Sequence, residues 1–160
     1  CQNDGLISAT RTDDIANLWK ARKALSPLLR EIAPKKINED VVVPVNTLPQ
    51  FLDNVTQLST HYKINNVNFG HAGNGNIHVN LLINPDDPDE VNRAACCLDE
   101  IFNLVIKLRG TLSGEHGIGS EKRAFITKEI DFATLDLMKG IKKVFDPANI
   151  LNPGKLFPQN

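Results

Sequence analysis

A glycine-rich turn at residues 70–75 separates two stretches whose side chains alternate in character, residues 66–69 and residues 76–83. Alternation with a period of two is typical of β-strands, and a short connection that contains several glycines predicts a β-hairpin. In the second stretch, one face carries only apolar side chains and is expected to face a core. The opposite face begins with Asn76, His78 and Asn80.

The spacing of apolar side chains elsewhere predicts helices. We expect one from residue 12, where Thr12 can act as the cap, and others over residues 47–62, 90–108 and 131–144. Pro27 is expected to interrupt the first helix, with Ser26 as the cap of a new one. A β-branched run predicts a strand at residues 41–45, and Thr111 and Leu112 could add a short strand. Together these elements indicate an α+β class, with an antiparallel sheet backed by helices.

The composition limits the classes of function. The chain has 18 Lys and Arg against 19 Asp and Glu, a formal net charge of −1, and we do not expect nucleic acid as a partner. The few cysteines fit a reducing cytoplasm, and we expect Cys96 and Cys97 to be small core residues. The 160 residues suffice for one domain. Because the sequence starts at Cys1, without a Met and partway through a sequence pattern, we expect it to be a fragment of a longer protein.

Three of the four histidines lie in two glycine-rich motifs, at residues 70–80 and 113–119. His71 precedes the predicted turn and His78 follows it, so a hairpin can bring both imidazoles to one face. With Glu115 from the second motif they form a His-His-carboxylate set, which is typical of a catalytic metal site with open positions. Two alternatives stay open: the histidines can hydrogen-bond only to loop backbone, and the polar strand face can be an ordinary solvated surface.

Two further residues are candidates for chemistry. His116 adjoins Glu115 and could take a proton from a hydroxyl held at the same centre, or it could simply cap the loop. Arg22 occupies a helical stripe that is otherwise apolar, and an arginine that faces a core needs an anion. Its guanidinium suits a substrate carboxylate, although an internal acid or extension to the surface would also satisfy it. Ser26 lies one turn further along.

Three segments resemble a known family: residues 69–78 (FGHAGNGNIH), residues 114–119 (GEHGIG) and residues 145–155 (FDPANILNPGK). In this order they resemble the C-terminal part of the FAD-linked 2-hydroxy-acid oxidases and dehydrogenases, flavoproteins of the vanillyl-alcohol-oxidase type. The resemblance implies a two-domain enzyme in which an N-terminal domain binds FAD and a ferredoxin-like α+β cap domain shapes the substrate pocket. It implies that residues 1–160 belong to that cap, without the FAD-binding domain.

The same resemblance assigns roles to individual residues. It implies a divalent metal, often zinc, on His71, His78 and Glu115, with His116 as the base. It implies that the substrate carboxylate and hydroxyl are held by a second group, namely Arg22, Ser26, Lys36 and Asn80. Two residues of the tail motif could contact the cofactor or only hold the tail against the FAD-binding domain, and these are Asn152 and Lys155.

These observations lead to one preferred hypothesis and two alternatives. The preferred hypothesis is the substrate-binding portion of an FAD-dependent enzyme that converts a D-2-hydroxy acid, such as lactate, glycolate or 2-hydroxyglutarate, to the 2-oxo acid. Its partners are then the substrate, its own FAD-binding domain and an electron acceptor, and the isolated chain is inactive. We expect a cytoplasmic protein that could associate with the inner membrane and could form a homodimer. The alternatives are a metal-dependent hydrolase or metal-binding module, and a non-catalytic interaction domain.

Overall fold

A computed structural model describes residues 10–158 of the chain. Its central feature is an antiparallel sheet of β1 (Lys35–Val42), β2 (Asn65–His71) and β3 (Asn76–Ile83), in the spatial order β1-β3-β2. The predicted hairpin is confirmed: β2 and β3 are adjacent and are joined by a 3₁₀ turn at Ala72–Asn74. β1 pairs with the other edge of β3, so β3 is the central strand and is buried along its whole length.

Four α-helices accompany the sheet in the described part of the chain, α1 (Thr12–Ile32), α2 (Leu48–Tyr62), α3 (Pro88–Lys107) and α4 (Phe132–Phe145). α2 and α3 cover one face of the sheet, because the apolar side chains of β3 at positions 77, 79, 81 and 83 point to that side, whereas Leu82 lies on the opposite face. The largest fully buried members of the resulting core are Phe51, Phe102, Leu81, Ile83 and Ile101. The predicted α+β class and the antiparallel sheet backed by helices are confirmed.

The first helix differs from its prediction. α1 continues through Pro27, because a proline removes one backbone hydrogen bond but leaves the turns on either side able to stay helical. Ser26 is therefore not the cap of a new helix, and its hydroxyl instead accepts a hydrogen bond from Lys36 Nζ at 2.6 Å. At the start of α1 the capping position belongs to Arg11 and not to Thr12.

The strand expected at residues 41–45 begins earlier and ends at Val42. Pro44 has no N–H group with which to continue the ladder, and the chain turns directly after it. The short strand considered at Thr111 is present only as a single bridge to Val42. As a consequence of the earlier start, residues 35–40, which carry most of the charge of this segment, lie within the sheet.

The helices differ in how much of their surface is buried. In α3, Cys97 is buried as expected, whereas Cys96 is exposed, because adjacent helical residues point roughly 100° apart. α1 and α4 contribute little to the core and expose large apolar side chains, which are Ile15, Trp19, Leu25, Leu28 and Ile32 in α1 and Phe132, Leu137, Ile141, Val144 and Phe145 in α4. No helix within residues 10–158 combines the length and the apolar character needed to cross a membrane.

Candidate active site

The sheet face opposite α2 and α3 is polar at its centre. Because side chains alternate along a strand, β3 presents Asn76, His78 and Asn80 together on this face. The register places Asp40 of β1 beside His78, and it places His71 of β2 beside Asn76. Asp40 and Asn80 have no exposed surface, and His78 is 6% exposed. The alternative of a solvated sheet face is therefore wrong.

The three candidate metal ligands converge at this face. His78 Nε2 lies 3.0 Å from Glu115 Oε1, and His71 Nε2 lies 3.9 Å from the same oxygen. One donor atom from each of the three side chains lies within 4.8 Å of the others. Ligands of a tetrahedral zinc ion are about 3.4 Å apart, since each lies roughly 2.1 Å from the metal. The three donor atoms are thus close enough to share one cation, and metal binding itself stays a prediction.

The surroundings of His78 favour a neutral imidazole. Burial lowers the pKa of His78, and the charge of Glu115 only partly opposes this effect. The neutral ring is the form that coordinates metal ions. Its Nδ1 atom is buried and has no hydrogen-bond partner among the described residues. A proton on Nδ1 leaves the lone pair of Nε2 directed at Glu115, where a cation would lie.

The second glycine-rich motif is attached to the sheet by Asp40. The carboxylate oxygen Oδ2 accepts hydrogen bonds from three successive backbone N–H groups, those of Gly114 at 2.8 Å, Glu115 at 2.5 Å and His116 at 2.9 Å. Lys122 Nζ contacts Oδ1 and donates to the backbone carbonyl of Asp40 at 2.8 Å. Burial opposes the charged form, but Lys122 and the backbone N–H groups outweigh it and lower the pKa of Asp40 to about 2. Asp40 is therefore an anion that joins strand and loop.

Glycine is required where each motif lies directly against its neighbours. A Cβ atom on Gly114 would lie 2.8 Å from the side-chain amide of Asn76. Gly75 has a φ of 77°, and a Cβ atom there would lie 2.0 Å from the carbonyl oxygen of Val43. Only glycine accommodates contacts as close as these. The two glycines therefore allow the turn and the loop to approach β1 and β3 closely enough to form the site.

The ring of His116 lies beside the cluster, with its two nitrogens near different carboxylates. Nδ1 lies 3.4 Å from Asp40 Oδ1, and Nε2 lies 4.0 Å from Glu115 Oε1. The ring stacks on His78 with a centroid distance of 5.3 Å, and the side chain is 43% exposed. His116 also lines a cavity of about 420 Å³, whose other lining residues include Asn38, Asn152 and Lys155. A ligand in this cavity can therefore reach the predicted base and the two predicted tail residues together.

The predicted substrate residues are only partly brought together. Asn80 lies on the polar face and donates from Nδ2 to the carbonyl oxygens of Val67 and His78, at 3.0 and 3.2 Å. Its Oδ1 atom is buried and has no hydrogen-bond partner within residues 10–158. Lys36 belongs to the same alternating set of β1 side chains as Asp40, and it contacts Ser26 of α1. Their roles in substrate binding stay predictions.

Arg22 does not face the core, which contradicts the prediction from the apolar stripe. It is exposed on α1, on a shallow surface that it shares with Ile15, Leu18 and Trp19. The reason is that α1 is buried near its C-terminal end, where Leu29 is 4% exposed, while its earlier apolar side chains stay uncovered in the described structure. The guanidinium group of Arg22 is therefore not buried, and it does not require an anion as partner.

Three residues of the site were not predicted from the sequence. Asp40 had a usable signal, because it is an acid within a segment that continues into a β-branched strand. Lys122 is only 2% exposed, but the sequence gives no sign of this, since its partner Asp40 lies 82 positions away. Asn38, which faces Asn80 in the register, carries a further buried oxygen that finds no hydrogen-bond partner in the described part of the chain.

Comparison with known sequences identifies the class of protein that has this fold and this site. Residues 1–156 match the sequence profile of the family described as FAD linked oxidases, C-terminal domain. The match covers nearly the whole chain, and the chain belongs to this family. Its members are parts of FAD-linked oxidoreductases, so the family implies a substrate and a partner domain that binds FAD.

Individual relatives fall within the same class. Glycolate oxidase subunit GlcD of Bacillus subtilis is 34% identical over 155 residues, which are 96% of this chain and 33% of the relative. D-2-hydroxyglutarate dehydrogenase of Stutzerimonas stutzeri is 38% identical over 159 residues, which are again 96% of this chain and 33% of the relative. A probable mitochondrial D-lactate dehydrogenase of Danio rerio is 35% identical over 143 residues, which are 88% of this chain and 29% of the relative. The chain thus spans about one third of the length of these relatives.

Proposed function

We propose that the chain forms the substrate-binding part of an FAD-linked dehydrogenase or oxidase that converts a 2-hydroxy acid to the 2-oxo acid. The observation that carries this proposal is the convergence of His71, His78, Glu115 and His116 at one sheet face in a chain of this family. The three relatives are named for glycolate, D-2-hydroxyglutarate and D-lactate. Each of these compounds carries a hydroxyl on the carbon next to a carboxylate, which supports the reaction class without selecting one substrate.

In this proposal His71, His78 and Glu115 hold a divalent cation such as zinc. Two imidazoles and one carboxylate, with room for further ligands, are a donor set typical of catalytic zinc. When bound, the cation would supply Lewis acidity that lowers the pKa of a hydroxyl placed next to it. The side chains of His71 and Glu115 are 42% and 49% exposed, so a substrate can approach the open side of the cluster.

His116 is proposed to accept the proton of the substrate hydroxyl. The carboxylate of Asp40 beside Nδ1 favours the tautomer that carries its proton on Nδ1, which leaves Nε2 as the basic nitrogen. The hydroxyl proton would pass to Nε2 of His116. Oxidised flavin, held by the FAD-binding domain, would supply the acceptor for the hydride from C2, so that the reaction balances as one proton and one hydride.

The residues around the cluster can hold the rest of the substrate. Lys36 and Asn80 lie on adjacent strands of the polar face, and Ser26 supports the Lys36 ammonium group. The Oδ1 atoms of Asn38 and Asn80, which have no hydrogen-bond partner among residues 10–158, can accept a hydrogen bond from a hydroxyl or another donor, because buried acceptors are normally satisfied. Arg22 would take part only after a movement of α1 toward this face.

The FAD-binding domain is proposed to cover the exposed apolar face of α4 and the segment after it. Val144, Phe145 and Ile150 are 76%, 81% and 74% exposed, and contiguous apolar surface of this kind is typical of an interface. The relatives are about three times as long as this chain, so their polypeptides have room for a domain at this place. The following tail, with Asn152 and Lys155, lines the His116 cavity, so the same docking would bring flavin close to it.

The test uses the full-length protein with its FAD bound. Anaerobic addition of D-lactate, glycolate or D-2-hydroxyglutarate is expected to bleach the flavin with at least one compound and to yield the 2-oxo acid in equal amount. His116→Gln should slow this step by about 10²–10⁴-fold, whereas His61→Gln, at an exposed histidine near the end of α2, should not. No bleaching with any 2-hydroxy acid, or equal rates in the two variants, would contradict the proposal.

A further inference from the structure

One buried carboxylate connects the two halves of the site. Asp40 has no exposed surface, and the register places it directly beside His78. Its oxygen Oδ2 accepts hydrogen bonds from the three successive N–H groups of residues 114–116, and Ser113 Oγ lies 3.4 Å from Oδ1. Successive backbone N–H groups that converge on one anion form a nest, which in other proteins binds external anions. Here a side chain of the protein itself occupies the nest.

The contacts of Asp40 determine where the loop residues point. The backbone N–H groups of Glu115 and His116 both donate to Oδ2 of Asp40, at 2.5 and 2.9 Å, and this fixes where the two side chains begin. Nδ1 of His116 lies 3.4 Å from the other carboxylate oxygen, which leaves Nε2 on the side of Glu115. His71 and His78, by contrast, are placed by the hairpin. Asp40 thus fixes the position of the two loop residues, Glu115 and His116, relative to the two histidines of the hairpin.

Lys122 explains how a charged carboxylate can be buried at this place. The residue is 2% exposed, and its Nζ contacts Asp40 Oδ1 and donates to the Asp40 carbonyl oxygen. A second acid, Glu39, lies 3.6 Å from the same Nζ. Burial raises the pKa of Glu39, although Lys122 opposes this rise. The lysine therefore serves mainly as the counter-charge of Asp40, and it holds this side chain in one position.

We propose that Asp40, held by Lys122, is a positioning residue that sets the distance and orientation of Glu115 and His116 relative to the two strand histidines. It acts through these residues and does not itself contact the substrate. Its effect on turnover rests on the proposed function, whereas its effect on the loop does not. Loss of the alignment should lower kcat more than it changes KM, because the aligned groups act mainly in the transition state.

The experiment compares Asp40→Asn with Asp87→Ala in the full-length, FAD-containing protein. Asparagine keeps the size of the aspartate but replaces one accepting oxygen by an NH₂ group, which cannot pair with Lys122 or with backbone N–H groups. Asp87 accepts hydrogen bonds from two successive backbone N–H groups at the start of α3, so its loss is a matched change outside the site. Hydrogen exchange of residues 113–117, FAD content, kcat and KM are measured for both variants.

For Asp40→Asn we expect hydrogen exchange in residues 113–117 to become at least about tenfold faster, with FAD content unchanged. We expect kcat to fall by roughly 10–100-fold and KM to change by less than about threefold. Asp87→Ala should match the wild type in all four measurements. Unchanged exchange in Asp40→Asn would overturn the proposal, and so would faster exchange with an unchanged kcat. If the wild type oxidises no 2-hydroxy acid, the proposed function fails, and the exchange rates alone decide whether Asp40 positions the loop.

A milder variant keeps the inference testable if Asp40→Asn does not fold. Ser113→Ala removes a hydroxyl that lies 3.4 Å from Asp40 Oδ1 and accepts a hydrogen bond from Gly117 N at 2.8 Å. It leaves the charge pair of Asp40 and Lys122 intact. We expect faster exchange of the same segment and a fall in kcat of about two- to tenfold. Exchange and kcat equal to those of the wild type would overturn the proposal.

Discussion

At the scale of the residue, the properties of His78 follow from the face of β3 that it occupies. Val79, its neighbour in sequence, lies in the core, while His78 contacts Glu115 on the opposite side of the sheet. A register shift of one residue would exchange these two faces and expose the apolar side chains of the strand. The apolar residues Ile77, Val79 and Leu81 therefore stabilise the position of the histidine as well as the core.

Replacement of His78 by Gln tests the proposed metal ligands. We expect zinc in the dialysed full-length protein to fall from about one ion per chain to a small fraction, because two ligands hold zinc far more weakly than three. Metal analysis of the purified protein gives this directly. His61→Gln is the matched control, since it removes an exposed histidine of α2, and it should retain the wild-type content. Equal metal contents in the two variants would remove His78 from the ligand set.

At the scale of the element, the turn of the hairpin contains two glycines, Gly73 and Gly75, and only Gly75 is required by its surroundings. Gly75 has a left-handed backbone conformation and lies against Val43, and its carbonyl oxygen accepts a hydrogen bond from Val43 N at 3.1 Å. Gly73 lies in open space, with nothing within 4 Å of a Cβ atom built on it. The sequence shows two equivalent glycines, whereas the structure shows that only one of them joins the turn to β1.

Gly75→Ala should therefore destabilise the hairpin by about 2 kcal/mol or more, because it combines a strained φ with a backbone clash. Gly73→Ala, in the same turn, should be neutral or stabilise by up to about 1 kcal/mol, since it only reduces the freedom of the unfolded chain. Native-state hydrogen exchange of β2 and β3 measures the two opening free energies within the full-length protein. Similar values for both variants would show that the close contact with Val43 does not constrain the turn.

At the scale of the whole molecule, the buried and exposed apolar surfaces lie in different regions. α2, α3 and the sheet form a core around Phe51 and Phe102, whereas α4 leaves Leu137, Ile141 and Val144 exposed. The helix still begins at an ordered cap, where Asp131 accepts a hydrogen bond from Thr134 N at 2.7 Å. Within residues 10–158 nothing covers the apolar face of this ordered helix, which supports the proposal that the FAD-binding domain packs against it.

Val144→Glu in the full-length protein should weaken the contact between the two domains, because it places a charge in an apolar interface. We expect a loss of bound FAD on gel filtration and a melting temperature that is lower by several degrees. Val91→Glu, on an exposed position of α3 that is 37% exposed, is the control and should keep its FAD. Retention of FAD by both variants would contradict the assignment of this face to the FAD-binding domain, and a change from dimer to monomer would assign it to a second copy.

Local periodicity was enough to predict the hairpin, the two-faced strand, and the helices of the core. Periodicity gave the wrong end for the first helix at Pro27 and the wrong start for β1, because both depend on contacts with other elements. A helical pattern does not say whether a proline ends the helix or is tolerated within it. Residues 35–40 carry many charges and little β-propensity, and they are extended because they pair with β3. The exposure of Arg22 likewise depends on what α1 packs against, which its own periodicity cannot show.

The residue types of the site, and the face of β3 on which His78 lies, could be derived from the amino-acid order, because neighbours along a strand obey a fixed alternation. That Glu115 and His116 reach the same place depends on hydrogen bonds to Asp40 across 75 and 76 positions of the chain. No short-range pattern relates residues so far apart. Their proximity results from strand pairing and from the burial of one carboxylate with its lysine, and these arise only when the whole domain folds.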